Sequence, residues 1–147
     1  VYSENSVGLL NRVSNIFTRR CLNIEDVSAS MSSVPGINKL TLTTWADRAT
    51  MERFVELGCY IAYGGAATFK RNDDVHEAFA ATPLDRILFE TDCPYMAPEP
   101  IRGLECEPAM ISITANALVN DRVDRSGEDA EAIARAAWEN ACKLFQK

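Results

Sequence analysis

Arg86-Ile87-Leu88-Phe89-Glu90-Thr91-Asp92 holds three consecutive apolar residues with no polar alternation, and no other stretch constrains the fold as much. A strand with one wet face alternates apolar and polar residues. A continuous run belongs to a strand covered on both faces, the situation in a parallel sheet flanked by helices. Ile87, Leu88 and Phe89 are therefore expected to form a buried central strand. The residues around them agree. Asp47 can cap a helix over 49–57 that Gly58 ends, Cys59 to Tyr63 is a short β-rich run, and Asp73 and Asp74 open a helix carrying Val75, Ala78 and Phe79. After the 86–91 strand, Pro108 starts another helix. Ser126 with Asp129 resembles a capping box ahead of a last helix whose apolar residues are Ile133, Ala137, Trp138, Ala141, Leu144 and Phe145. Helix, strand, helix, strand, helix, helix is the grammar of βα units around parallel strands.

Before Asp47 the grammar differs. Val1 to Ser3 reads as a strand end, and Asn5 or Ser6 can cap a helix with Leu9, Leu10, Val13, Ile16 and Phe17 on one face. Ile24 to Met31 and the Leu40/Leu42 alternation, separated by Pro35-Gly36, read as a hairpin. Leu10, Val13 and Phe17 are expected to pack on it. The organisational boundary falls near Thr44 to Asp47, which divides the chain into segments 1–45 and 46–147.

At 147 residues the chain is shorter than the roughly 200 residues or more of a complete eight-stranded α/β barrel. A net charge of −6 argues against unaided binding to a phosphate backbone, yet a bound divalent cation supplies local positive charge. The five cysteines form no CxxC pair and there is a single histidine, so a structural zinc site is not expected. The irregular cysteine spacing reads as reduced thiols in a cytoplasmic protein. The first residues lack the features of a signal peptide, and no apolar run reaches the roughly 18 residues that span a membrane.

Asp92 stands where the buried strand ends and a loop with Pro94, Pro98, Pro100 and Gly103 begins. In α/β barrels this mouth is where catalytic residues collect. A carboxylate there can bind a hard cation or take a proton from metal-bound water, or it can simply cap the loop. His76 lies beside Val75 on a helix and reads as a solvated helix residue.

Residues 47–147 resemble the C-terminal part of the TatD family of metal-dependent hydrolases. The resemblance is carried by Leu57-Gly58-Cys59-Tyr60-Ile61, by Gly65 to Phe69, and by Thr82-Pro83-Leu84-Asp85-Arg86 running into Ile87 to Asp92. It continues with Tyr95-Met96-Ala97-Pro98, Arg102-Gly103, Glu107-Pro108, Glu139-Asn140 and Leu144-Phe145. It implies an α/β barrel segment that hydrolyses phosphodiesters in DNA with a divalent metal, usually magnesium. It also implies that Asp92 is the metal-site and catalytic aspartate, with Arg102 and Glu107 supporting the following loop and the substrate. The resemblance further calls for a His-x-His pair, a metal-bridging glutamate and two more histidines. This chain has no such segments, so it is expected to be inactive alone.

Residues 1–44 resemble the ACT domain of the acetolactate synthase small subunit. Glu4-Asn5-Ser6-Val7-Gly8-Leu9-Leu10-Asn11-Arg12-Val13, Ile16 to Arg20, Leu22 to Glu25 and Gly36 to Leu42 carry this second resemblance. It implies a ferredoxin-like βαββ segment of a regulatory module for a branched-chain amino acid, with Asn5 and Gly8 in the effector loop; Asn5 as a plain helix cap and Gly8 as a packing residue remain the alternative. The fold class expected is thus α/β, an incomplete (βα) barrel segment preceded by a partial ACT-like segment. A chimeric chain without evolved activity is the third reading. Both halves resemble folds that pair with neighbours, so self-association is expected.

Overall fold

The computed structural model describes residues 1–44 and 47–145. The expected junction at residues 45 and 46 lies outside the described residues. The chain divides into two compact units, Val1–Thr50 and Met51–Lys147.

The first unit runs β1 (Tyr2–Glu4), α1 (Leu9–Arg19), β2 (Asp26–Met31) and β3 (Ile37–Thr43). Its strands form one antiparallel sheet in the order β1-β3-β2. β2 and β3 make the expected hairpin, with Asp26 opposite Thr43 and Met31 opposite Asn38. Gly36, at φ +79°, allows the tight turn between them. Neither Asn5 nor Ser6 caps α1. The N-cap is Gly8 in the left-handed region, and no side chain caps it. The Asn5 amide instead donates to Gly36 O at 2.8 Å, and Asn5 Oδ1 accepts from Asn38 Nδ2 at 3.0 Å. Every β2 residue is exposed, Leu40 is the one buried hydrophobic side chain of the unit among the described residues, and Val13 and Phe17 are only half-buried. Leu10 is 45% exposed, so the helix does not seal a core against the hairpin as its pattern predicts. A one-layer sheet needs a second apolar layer to bury its face.

α2 (Arg48–Glu56) follows, with Thr50 N bonded to Asp47 Oδ1 at 2.9 Å, the cap expected of Asp47. Gly58 at φ +86° ends it in a Schellman arrangement, with Cys59 N on Phe54 O and Gly58 N on Val55 O.

The second unit continues with β4 (Ile61–Tyr63), a 3₁₀ turn Gly65–Thr68, α3 (Asp73–Ala81) and β5 (Ile87–Phe89), then α4 (Ile111–Ser126) and α5 (Ala130–Phe145). β4 and β5 are parallel, Ile61 opposite Ile87 and Tyr63 opposite Phe89. The buried strand is therefore real: Ile87 is fully buried and Leu88 nearly so. It is shorter than the 86–91 run, and it pairs with one neighbour rather than two among the described residues.

Phe79 of α3 sits at the centre of the core, edge-on to Tyr63 at 4.9 Å and 5.8 Å from Phe89. Burying a phenylalanine side chain is worth about 1.5–3 kcal/mol. α4 contributes Leu118 and Val119, and α5 contributes Ile133 and Ala137, from one face of each helix. Three expected members of the α5 apolar face depart from it: Trp138, Leu144 and Phe145 are 72%, 44% and 67% exposed. The capping box is also displaced. Ser126 ends α4 and Gly127, at φ +71°, terminates it, while Asp129 Oδ2 alone receives Ala132 N.

Two polar groups tie the layers together. Asn140 of α5 donates from Nδ2 to Leu84 O at 2.8 Å and Ile87 O at 2.9 Å, holding the entry to β5. Arg122 of α4 is 5% exposed and donates to Phe79 O and Thr82 O, both at 2.8 Å, and to both oxygens of Glu128. These bonds give Thr82 O a donor and add a second one to Phe79 O, which also receives Thr82 N at 3.2 Å, at the buried end of α3.

Candidate active site

Parallel neighbours end on the same edge of a sheet, so the segments after β4 and β5 meet. Gly64 follows β4, and Glu90 and Asp92 follow β5. Glu90 N extends the ladder to Tyr63 O at 3.1 Å. A Cβ placed on Gly64 would lie 3.4 Å from Asp92 Oδ2 and 3.6 Å from Glu90 Oε1. Two carboxylates thus stand over one glycine at the carboxyl ends of the strands. Partial burial raises the Glu90 pKa above the usual carboxylate range, and the Asp92 charge adds to it.

The loop beyond them is closely seated. A Cβ on Gly65 would collide with the Met96 carbonyl oxygen and come within 3.1 Å of Pro98 N. Thr68 Oγ1 receives Glu99 N at 2.8 Å, and the Arg102 guanidinium stacks over Phe69 with its carbon 4.2 Å from the ring centre. Pro98 and Ala97 are buried beneath this seam. Cys106 N bonds to Pro94 O at 2.9 Å and brings the far end of the loop back to its start. The Cys106 thiol is buried, and that burial raises its pKa. The negative charges of Cys93, Asp92 and Glu107 raise it further.

Asp92 stands at the start of the loop and Glu107 just beyond Cys106, whose N–H closes the loop on Pro94 O. Arg102 sits at the other end of the seam, exposed. Asn5 and Gly8 belong to the first unit, where both line an open cavity of about 610 Å³ with Leu9, Ala29, Asn38 and Leu40. His76 is not simply solvated: its Nδ1 lies 3.0 Å from Asp121 Oδ2 on α4. The structural part of Gly64 and Gly65 does not follow from residue type alone. A Gly-Gly pair directly after a strand, opposite an acidic strand end, was the available signal. All five cysteines are free. Among the described residues no group of three His, Cys, Asp or Glu side chains gathers within metal-binding reach, and no helix is long and apolar enough to cross a membrane.

A parallel βα arrangement with an acidic, loop-covered strand end defines a protein of the α/β class with its candidate site at the carboxyl edge of the sheet. More narrowly, the chain belongs to the TatD-related DNase family, whose model matches residues 42–146. It is 37% identical over 99 residues to the uncharacterized metal-dependent hydrolase YcfH of Escherichia coli, covering 67% of this chain and 36% of that one. It is 34% identical over 92 residues to the uncharacterized metal-dependent hydrolase YabD of Bacillus subtilis, covering 63% and 34%. The crystal structure of YJJV, a TatD homologue of Escherichia coli, superposes with a TM-score of 0.61 at 30% identity, covering 70% of this chain and 38% of that one. The chain thus spans about a third of the length of the curated relatives it matches.

Proposed function

We propose that this chain supplies the Asp92 end of a divalent-metal site in a TatD-type hydrolase acting on phosphodiester bonds of DNA, as a segment of a (βα) barrel. The observation that carries the reading is the pair of carboxylates, Asp92 and Glu90, above Gly64 at the carboxyl ends of two parallel strands. Hard oxygen donors suit magnesium, which prefers near-octahedral oxygen coordination and retains several waters. Asp92 would be the ligand, and a bound ion would supply Lewis-acid stabilisation of the phosphoryl oxygens. Glu90 stands beside Asp92 over the same glycine, a second oxygen donor at that strand edge. Glu107 and the buried Cys106 hold the base of the loop, and Arg102 faces substrate.

Two carboxylates fill only part of an octahedral shell, so the chain alone is expected to cleave DNA at background rate. Calorimetric titration with magnesium, paired with a plasmid-nicking assay, tests this. Weak binding that Asp92→Asn lowers further supports the site, and equal binding by both proteins refutes it. Robust magnesium-dependent nicking abolished by Asp92→Asn would keep the hydrolase and overturn the need for further donors. Free cysteines suit a reducing, cytoplasmic setting.

One observation favours a second reading for the first unit: Asn5 and Gly8 line the same cavity at the start of α1. The Gly8 amide at the helix N-terminus suits a carboxylate, as an ACT-like site for a branched-chain amino acid requires, while the Asn5 amide is given to Gly36 O. Titration with leucine or valine, expected to shift the Asn5 and Gly8 amide resonances, decides it. The exposed β2 edge is the surface through which self-association would run.

A further inference from the structure

The loop after β5 does not merely cover the sheet edge; it is laid in register along the segment after β4. Contacts pair Gly64 with Asp92, Gly65 with Met96, Thr68 with Glu99 and Phe69 with Arg102, in the same order along both stretches. Asp92 is therefore fixed at one end of a seam and Arg102 at the other. Five residue steps lead from Gly64 to Phe69, and at roughly 2 Å per step of 3₁₀ turn the seam is about 10 Å long.

The Arg102 end gathers three cations although the chain carries a net −6, and Glu99, whose backbone N–H bonds Thr68 Oγ1, is the acidic residue of the seam itself. Lys70 and Arg71 directly follow the Phe69 platform. All three cations are exposed, and none forms a salt bridge among the described residues. Asp73 and Asp74 come next, but they open α3, and Asp73 acts on the Arg125 charge. Arg71 holds its backbone at φ +70°, a left-handed conformation that a non-glycine residue adopts at a cost. Arg102 is ordered by stacking on Phe69 while its edge stays open to solvent, a suitable state for forked contact with a phosphate.

We infer that Lys70, Arg71 and Arg102 form a phosphate-binding patch that grips the backbone of a DNA strand about 10 Å from the phosphate at Asp92, the length of the 64–69 seam. The patch therefore contacts phosphates flanking the reacting one rather than the reacting one itself. The inference rests on the phosphodiester reading of the Asp92 site. It explains how a chain of acidic charge holds a polyanion: the negative end of the seam is reserved for a cation and the positive end for the strand.

The test is anisotropy of a fluorescein-labelled short single strand with the full chain in EDTA, over a series of salt concentrations, so that it does not depend on the metal. Three phosphate contacts predict a slope of log Kobs against log salt of about −2, or about twentyfold weaker binding for a fourfold rise in salt. Lys70→Gln, Arg71→Gly and Arg102→Gln should each make the slope shallower by about 0.7. Arg71→Gly places glycine where the backbone favours it, so lost folding cannot account for lost binding. Arg102→Lys should keep the slope and weaken binding, because the charge remains and the stacking fork does not. Binding whose slope none of these variants changes would overturn the patch while leaving the metal site to the nicking assay. No binding by the unsubstituted chain at low salt, or equal competition by polyglutamate of matched charge, would overturn it too.

Discussion

Gly64 and Gly65 are neighbours in sequence with different reasons to be glycine. A Cβ on Gly64 would make ordinary contacts with Asp92 and Glu90, whereas one on Gly65 would enter the Met96 carbonyl. Gly65→Ala is therefore expected to lower stability by about 1–3 kcal/mol as an overpacked site, with Gly64→Ala clearly milder; urea titration of both variants checks the order. Equal losses would mean that the loop yields freely. Thr114 is the opposite case. Its hydroxyl is fully buried in α4 and finds no partner among the described residues. Thr114→Val keeps the shape and removes the unmet group, so it is expected to raise stability by about 1 kcal/mol. A loss of that size in the same titration would reveal a hydrogen bond that the hydroxyl makes through water. Neither effect is readable from residue type alone. Glycine marks a possible close approach, and only the opposing loop says which of two adjacent glycines meets it.

Among the elements, α4 and α5 act as braces for β5 and the end of α3. Asn140 spans from α5 to two carbonyls around β5, so Asn140→Ala removes the side-chain donor from Ile87 O and from Leu84 O, of which Leu84 O keeps the Ile87 N–H. A loss of roughly 2–4 kcal/mol is expected, measurable by thermal or urea unfolding, and a loss below about 1 kcal/mol would show that water replaces the amide. The Arg122–Glu128 pair gives the unit a pH dependence. Hydrogen bonding from Arg122 is the main cause lowering the Glu128 pKa below its ordinary 4.5. A lowered carboxylate stabilises the fold when ionised. Its contribution is complete above the ordinary value and is lost as the pH falls through the lowered one. Glu128→Gln should flatten the acid limb of the stability profile, and an unchanged limb would assign that limb to other carboxylates. The helices themselves were legible from periodicity, and so was the strand at Ile87 to Phe89. The cap of α5 was misplaced by three residues because Ser126 satisfies the same pattern as Asp129 while bonding back to Arg122 O within α4.

At the scale of the whole chain, burial is uneven. Tyr63, Phe79, Ile87, Leu118 and Ile133 form a sealed core in the second unit, while the first relies on Leu40 and a sheet whose β2 residues are all exposed. Hydrogen exchange is expected to be fastest in α1 and β2 and slowest in α4, β5 and α5, and a reversed order would overturn this ranking. Phe17→Ala should accordingly cost well under the roughly 3–5 kcal/mol of a full core truncation, because the ring is only half-buried. The sequence by itself determined the element order, the parallel character of the buried strand and the acidic residue at its end, since hydrophobic period and chain order are local properties. Tertiary structure alone decided which side chains are core and which are surface. Trp138 and Phe145 share the composition of a core face but not its direction, and burial depends on what lies opposite. It also decided that Gly64, Glu90 and Asp92 meet and that Arg102 lies on Phe69. Those residues are brought together by the pairing of β4 with β5 and the seating of one loop along another, and such contacts between distant segments leave no period in the sequence.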